Sequence, residues 1–201
     1  QTAEWIALDT EFIREKTYYP RLCLIQIASK DLLACIDPLA LPDLQPFLDW
    51  LNDPKRLKVL HAAWQDLEIF HHLGRGQVPS PIFDTQIAAA VLGIGDQLGY
   101  ARLVEESLGV VLDKSQSRTD WARRPLTTAQ LDYAIDDVRY LRDVYVKMRH
   151  QLEKLGRLKW LDKPFQKLAD STTYAVDPRH SWERVKGLQI LKPQQLAILR
   201  E

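Results

Sequence analysis

Apolar positions follow short-period patterns first and longer ones later. Residues 5–12, 22–28 and 32–37 are apolar or alternating runs joined by short turns, which predicts three antiparallel strands. Helices and strands then alternate. The pattern predicts a helix over 42–51, a strand over 57–61, a helix over 66–73, a short strand over 81–83 and a helix over 84–92 capped by Asp84. A longer helix opens at Thr127-Thr-Ala-Gln130, a capping-box spacing, and ends before Gly156. Its core face is Ala134, Val138, Leu141 and Tyr145. This order predicts an α/β fold, a mixed sheet of three antiparallel strands followed by parallel ones, flanked by helices.

Several polar residues interrupt the apolar stripes. Asp9 and Glu11 lie two apart in Trp5-Ile-Ala-Leu-Asp-Thr-Glu-Phe12, so on a strand they project from one face. Two neighbouring carboxylates among apolar flanks repel and lose hydration, a cost that a cation between them removes. Hard oxygen ligands suit Mg²⁺ or Mn²⁺. A solvent-facing strand edge would account for the same pair without chemistry. Asp66 shares a helix face with Ala62, Ala63, Ile69, Phe70 and Leu73, where a carboxylate needs a partner. It is either a ligand or a helix-start acid bonding backbone donors near Leu60 and His61. Tyr133 and Asp137, four apart on the long helix, can meet at one site, with the phenol in reach of a water held near the carboxylate. Tyr133 also reads as a half-buried helix aromatic. Asp137 is a better ligand than Asp136, which lies on the polar face. Together these spacings point to a divalent-metal phosphodiesterase.

Charge narrows the substrate grip. Lys plus Arg and Asp plus Glu both number 27, so net charge is zero, against broad coating of nucleic acid by a basic surface. Basic residues do cluster locally, at Lys114, Arg118, Arg123 and Arg124, and at Arg14, Lys16 and Arg21 beside Tyr18 and Tyr19. Cations near aromatic faces suit a short single strand. Each alone also reads as an ordinary surface charge. His61, just before the Asp66 helix, either contacts a phosphate or satisfies its turn. Cys23 and Cys35 fall in apolar runs and read as core residues of a reducing cytoplasm. No histidine spacing suggests zinc, and no apolar run of 18 or more suggests a membrane span.

With these residues in place, the chain resembles the ribonuclease D group of DEDDy 3′ to 5′ exonucleases. The resemblance runs through Ala7-Leu-Asp-Thr-Glu-Phe-Ile-Arg14, Thr17-Tyr-Tyr-Pro-Arg-Leu-Cys-Leu-Ile-Gln-Ile27, His61-Ala-Ala-Trp-Gln-Asp-Leu-Glu-Ile-Phe70 and Phe83-Asp-Thr-Gln86. It continues through Leu112-Asp-Lys-Ser-Gln-Ser-Arg-Thr-Asp-Trp121, Arg124-Pro-Leu-Thr127 and Tyr133-Ala-Ile-Asp-Asp-Val-Arg-Tyr-Leu141. Trp64 departs from the smaller or polar residue the pattern leads one to expect, which affects the pocket wall. The resemblance implies a ribonuclease H-like fold and two divalent ions, Mg²⁺ or Mn²⁺, held by Asp9, Glu11, Asp66 and Asp137, with Tyr133 at the attacking water. It implies an RNA substrate with a free 3′ end, transfer RNA precursors among them, and no obligate protein partner. Phe12, Tyr18, His61, Gln86, Lys114, Trp121 and Arg124 are the expected substrate contacts.

Two other classes fit parts of the pattern. A DNA exonuclease of the Werner or proofreading kind would use the same five residues, and a noncatalytic RNA-binding module would keep the fold but lose acids. The nuclease domain is expected over 1–169. Residues 170–201 read as a connector, helical around 182–188, and the start of a helical C-terminal domain of the HRDC kind opened by Pro193. On this reading the chain is a piece of a longer protein.

Overall fold

The strand-forming runs pair in the predicted order. In a computed structural model, which describes residues 4–15, 17–113, 115–117, 119–175, 182 and 187–200, β1 (Trp5–Ile13), β2 (Arg21–Ala28) and β3 (Leu33–Ile36) form an antiparallel meander. β4 (Leu57–Leu60) adds in parallel beside β1, and β5 (Ile82–Asp84) in parallel beside β4. The sheet order is therefore β3-β2-β1-β4-β5, the mixed sheet that the sequence predicts. β1 is central. Its register with β2 shifts between Glu11 and Phe12, and that irregularity twists the strand at the end that carries the acids.

Each face of the sheet has its own helical layer. Ala7, Ala28 and Val59 pack with Val138, Leu141 and Tyr145 of α5 (Thr128–Lys154), alongside α3 (Thr85–Leu92) and α4 (Tyr100–Leu108). Ile6, Leu8 and Leu60 pack the other way, against Leu48 and Leu51 of α1 (Gln45–Leu51) and Leu67, Ile69 and Phe70 of α2 (Trp64–Leu73). Helix α5 starts with the expected capping box, in which Thr127 and Gln130 satisfy each other's backbone donors. At about 1.5 Å per residue it runs for some 40 Å beneath the sheet.

Several boundaries shift for local reasons. Helix α1 begins at Gln45 rather than 42, because the Asp43 carboxylate takes the Gln45 N–H at 2.9 Å and ends the preceding turn. Helix α2 begins at Trp64, two residues before Asp66. Ala62 precedes it in the left-handed region at φ 52°, a conformation that turns the chain sharply out of β4. Two helices lie outside the predicted set, α4 and α6 (Asp162–Ala169), the latter following a 3₁₀ turn at Leu158–Leu161. The expected helix near 182–188 falls largely outside the described residues. α7 (Pro193–Arg200) does open at Pro193. No described helix is long and apolar enough to cross a membrane. Cys23 and Cys35 are free thiols, the first fully buried.

Candidate active site

Alternation along β1 sends Asp9 and Glu11 toward α5, on the side of Ala7, and Thr10 toward α2, on the side of Leu8. Helix α5 brings up Asp137 one turn after Tyr133. One carboxylate oxygen from each of Asp9, Glu11 and Asp137 lies within 4.8 Å of the other two. Asp66 reaches the same end of the sheet from α2, where the Thr10 hydroxyl donates to its Oδ1 at 2.5 Å. The residue between two acids on β1 thus holds a third on the opposite layer.

This concentration of carboxylates is electrostatically costly. Burial and then Asp137 push Asp9 well above the usual carboxylate range, while burial and then Asp9 do the same to Asp66 against the Thr10 hydrogen bond. Glu11 rises to about 9, first through burial and then through Asp9, Asp137 and Asp66. Burial, with Asp136 beside it, lifts Asp137 to about 7. Acids held in this way suit a hard divalent cation, whose charge would oppose these shifts. Asp136 is otherwise engaged, paired with Arg139 on the same helix.

The cluster opens into a cavity of about 450 Å³ walled by α4, α5 and Leu112, Asp113 and Ser117. Tyr133 lines it. Burial and the neighbouring Asp137, Glu11 and Asp9 raise its phenol above the ordinary value, so it stays protonated beside uncompensated acids. Its hydroxyl makes no hydrogen bond to a described residue. Tyr100, the first residue of α4, donates its hydroxyl to the Asp137 carbonyl at 2.5 Å and so fixes the backbone that carries the acid. Sequence reasoning gives no hint of this contact.

His61 lines the cavity as well. Its Nδ1 sits 3.0 Å from Thr85 Oγ1, whose hydroxyl donates to the Leu60 carbonyl at 3.1 Å, and burial holds the imidazole below its ordinary pKa. The turn between His61 and α2 is secured by Asp84, not by Asp66. The Asp84 carboxylate accepts Ala63 N–H at 2.9 Å, Ala62 N–H at 3.2 Å and two N–H groups of α3, from Gln86 and Ile87. Asp84 thus holds the turn, while Asp66 bonds its own backbone N–H in the first turn of α2 as well as the Thr10 hydroxyl.

Other expected substrate contacts lie around the cavity rather than in it. Trp121 is only 2% exposed and packs on Cys23, Leu24 and Ala134, its ring 6.0 Å from that of Tyr133, so it backs the tyrosine. Arg124 is a clasp: it grips Asp37 through two 2.7 Å bonds and donates further to the carbonyls of Cys23, Trp121 and Arg123. Its donors are spent on the fold, which corrects its reading as a free phosphate ligand. Gln86 ties α3 to the Leu98 carbonyl at 3.1 Å, and Phe12 packs into the α2 side of the core. Tyr18 is exposed, edge-on to Tyr19, which stacks on His72 at 3.9 Å; Arg14 pairs with Glu68 nearby at 2.7 Å. Lys114, Lys16 and Arg118 lie outside the described residues.

An acid triad drawn from the central strand and a long helix, with a fourth acid approaching across the sheet, is a donor set that suits hard divalent cations. The chain belongs to the 3′-5′ exonuclease family, whose model matches residues 1–153. Within that family its relatives are ribonucleases D. It is 47% identical to the ribonuclease D of Bartonella henselae over its whole length, covering 49% of that protein, and 46% identical to that of a Shewanella strain, covering 51%. Among solved structures it superposes on Escherichia coli RNase D, described as an exoribonuclease involved in structured RNA processing. That match has a TM-score of 0.88 and 42% identity, and covers 98% of this chain and 52% of the other. It is also similar to Brucella melitensis NrnC, solved with bound Mg²⁺, at TM-score 0.74 and 28% identity over 92% of this chain and 90% of the other. The chain spans about half the length of the curated relatives it matches.

Proposed function

We propose that this chain is the nuclease part of a 3′ to 5′ exoribonuclease that hydrolyses the terminal phosphodiester of RNA and releases nucleoside 5′-monophosphates. The observation that carries this reading is the convergence of Asp9, Glu11 and Asp137 within 4.8 Å, with Asp66 held alongside by Thr10. Asp9, Glu11 and Asp137, with Asp66 alongside, would hold two divalent ions, Mg²⁺ or Mn²⁺. Such ions ease formation of hydroxide near neutral pH and offset the charge that builds on attacking and leaving oxygens.

The remaining work falls to the chain. Tyr133, its hydroxyl unspent, aligns the attacking water. Tyr100 holds α5 so that Asp137 keeps its place, and the Asp84 clamp does the same for Asp66 through the start of α2. His61 and Tyr18 are the expected substrate contacts best placed to meet RNA, the first from the cavity wall and the second from an exposed loop. Likeness to an exoribonuclease of structured RNA supports transfer RNA precursors as substrates. The two free thiols and the family of relatives support a cytoplasmic location. We assign 1–169 to the nuclease domain and 170–201 to a connector leading into a helical domain, with no obligate protein partner.

The test is stepwise digestion. Single-stranded RNA labelled along its length is incubated with the chain and Mg²⁺ or Mn²⁺, beside a 3′-phosphate-blocked strand, a matched DNA and the Asp9→Asn variant. Mononucleotides should leave only free RNA 3′ ends, and Asp9→Asn should lose at least about a hundredfold in rate. Internal fragments would falsify the exonuclease reading, and preference for DNA would transfer the site to a DNA exonuclease.

A further inference from the structure

Apart from Arg102, every charged side chain on the described wall of the cavity is acidic. Asp9, Glu11, Asp113 and Asp137 all line it, and His61 is held toward its neutral form by burial. A polyanionic strand entering this space meets repulsion wherever cations do not offset it. Arg102 stands on the first turn of α4, two residues after Tyr100, at the same wall. Among the described residues its partner is Glu106, 3.6 Å away one helical turn on, and both side chains are open to solvent at 71% and 51%. An exposed pair of this spacing contributes little in water, so the guanidinium is free to leave it. The first turn of α4 adds to the attraction: Gly99 offers no side-chain cap, and the positive end of the helix faces the same space.

We propose that Arg102 is a substrate-binding residue that takes a backbone phosphate of the RNA strand in the cavity. The proposal rests on the exoribonuclease reading for its ligand. It replaces Arg124, whose fork is closed by Asp37, with an arginine whose fork is open. A guanidinium suits the task because it can meet two phosphate oxygens at once, and Glu106 keeps it extended along α4 until the strand arrives.

The experiment pairs two readouts on the whole chain. Equilibrium binding of a fluorescent single-stranded oligoribonucleotide is followed in Ca²⁺, and hydrolysis of the same strand in Mg²⁺, each over a range of salt. Arg102→Ala should weaken binding and raise KM about tenfold, leave kcat within about twofold, and flatten the log–log salt dependence of binding by about 0.7. Arg102→Lys should restore the salt slope and part of the affinity. Arg149→Ala, which removes a half-exposed arginine bonded to Tyr145 and paired one turn along with Glu153 outside the cavity, should change neither. If Arg102→Ala melts early, Arg102→Gln carries the same expectation. A wild-type salt slope retained in Arg102→Ala or Arg102→Gln overturns the proposal even if digestion proceeds. Arg102-dependent binding without any hydrolysis would instead sink the exonuclease reading and leave this phosphate contact standing.

Discussion

Glu11 shows how function and stability diverge at a single side chain. Without a cation its carboxyl is driven to about 9, so at neutral pH the folded chain must hold a proton there that the unfolded chain does not. Glu11→Gln keeps the shape and removes the charge. It should stabilise the metal-free chain by up to about 3 kcal/mol at pH 7, seen as a melting temperature raised by several degrees, while abolishing most hydrolysis. A variant that melts lower and still digests RNA would contradict the assignment. Asp9, Glu11, Tyr133 and Asp137 could be picked out of the sequence because each breaks or edges an apolar pattern at a spacing that one strand or one helix fixes. Tyr100 could not. A phenol that donates to a carbonyl 37 residues away has no periodic signature, and neither has the Thr10 hydroxyl that holds Asp66.

At the level of elements, the site depends on one shared connection. Asp84 ends β5, caps α3 and holds the turn into α2, all from a side chain only 2% exposed. Asp84→Ala leaves four backbone donors without that acceptor and should cost about 3 kcal/mol in a denaturant titration. Activity should fall further than the folded fraction does, because the start of α2 also sets Asp66. Loss of stability without any excess loss of activity would show that Asp66 is placed by other contacts. The capping of α3 was plain from Phe83-Asp-Thr-Gln86, since it is local; the bonds to Ala62 and Ala63 cross between strands and were not. Helix α4 escaped the sequence pattern for a related reason. It starts at Gly99 without a side-chain cap, so nothing marks its first turn, although Leu103, Val104 and Leu108 do follow a helical period. Helix α6 buries none of its residues fully, and its stripe of Phe165, Leu168 and Ala169 is short and only partly covered.

For the molecule as a whole, the acid cluster links protons, cations and folding. Acids whose pKa is raised by folding bind more protons in the native state than in the unfolded one between about pH 4 and the folded values of about 7 for Asp137 and about 9 for Glu11. Stability of the chelated chain should therefore fall as pH rises through that window. Mg²⁺ or Mn²⁺ should restore it, with the increment in melting temperature growing from pH 5 to pH 9. Calorimetry with and without chelator checks this, and a metal increment independent of pH would count against carboxylate ligation. The mixed sheet flanked by helices followed from the sequence because three short apolar runs and then alternating elements leave few ways to bury both faces, whereas the strand order is seen only in the structure.

Three successive residues of β1 serve three different positions: Asp9 and Glu11 face the long helix, while Thr10 between them reaches through to Asp66. Strand geometry gives this arrangement no tolerance for slippage. Inserting or deleting one amino acid within β1 would invert the assignment, sending the hydroxyl into the cavity and both acids into oil. The same change in the exposed loop around Tyr18 would leave the strand's phase intact. Evolutionary drift and engineering alike are thus free to alter that loop's length, but must conserve the parity of β1.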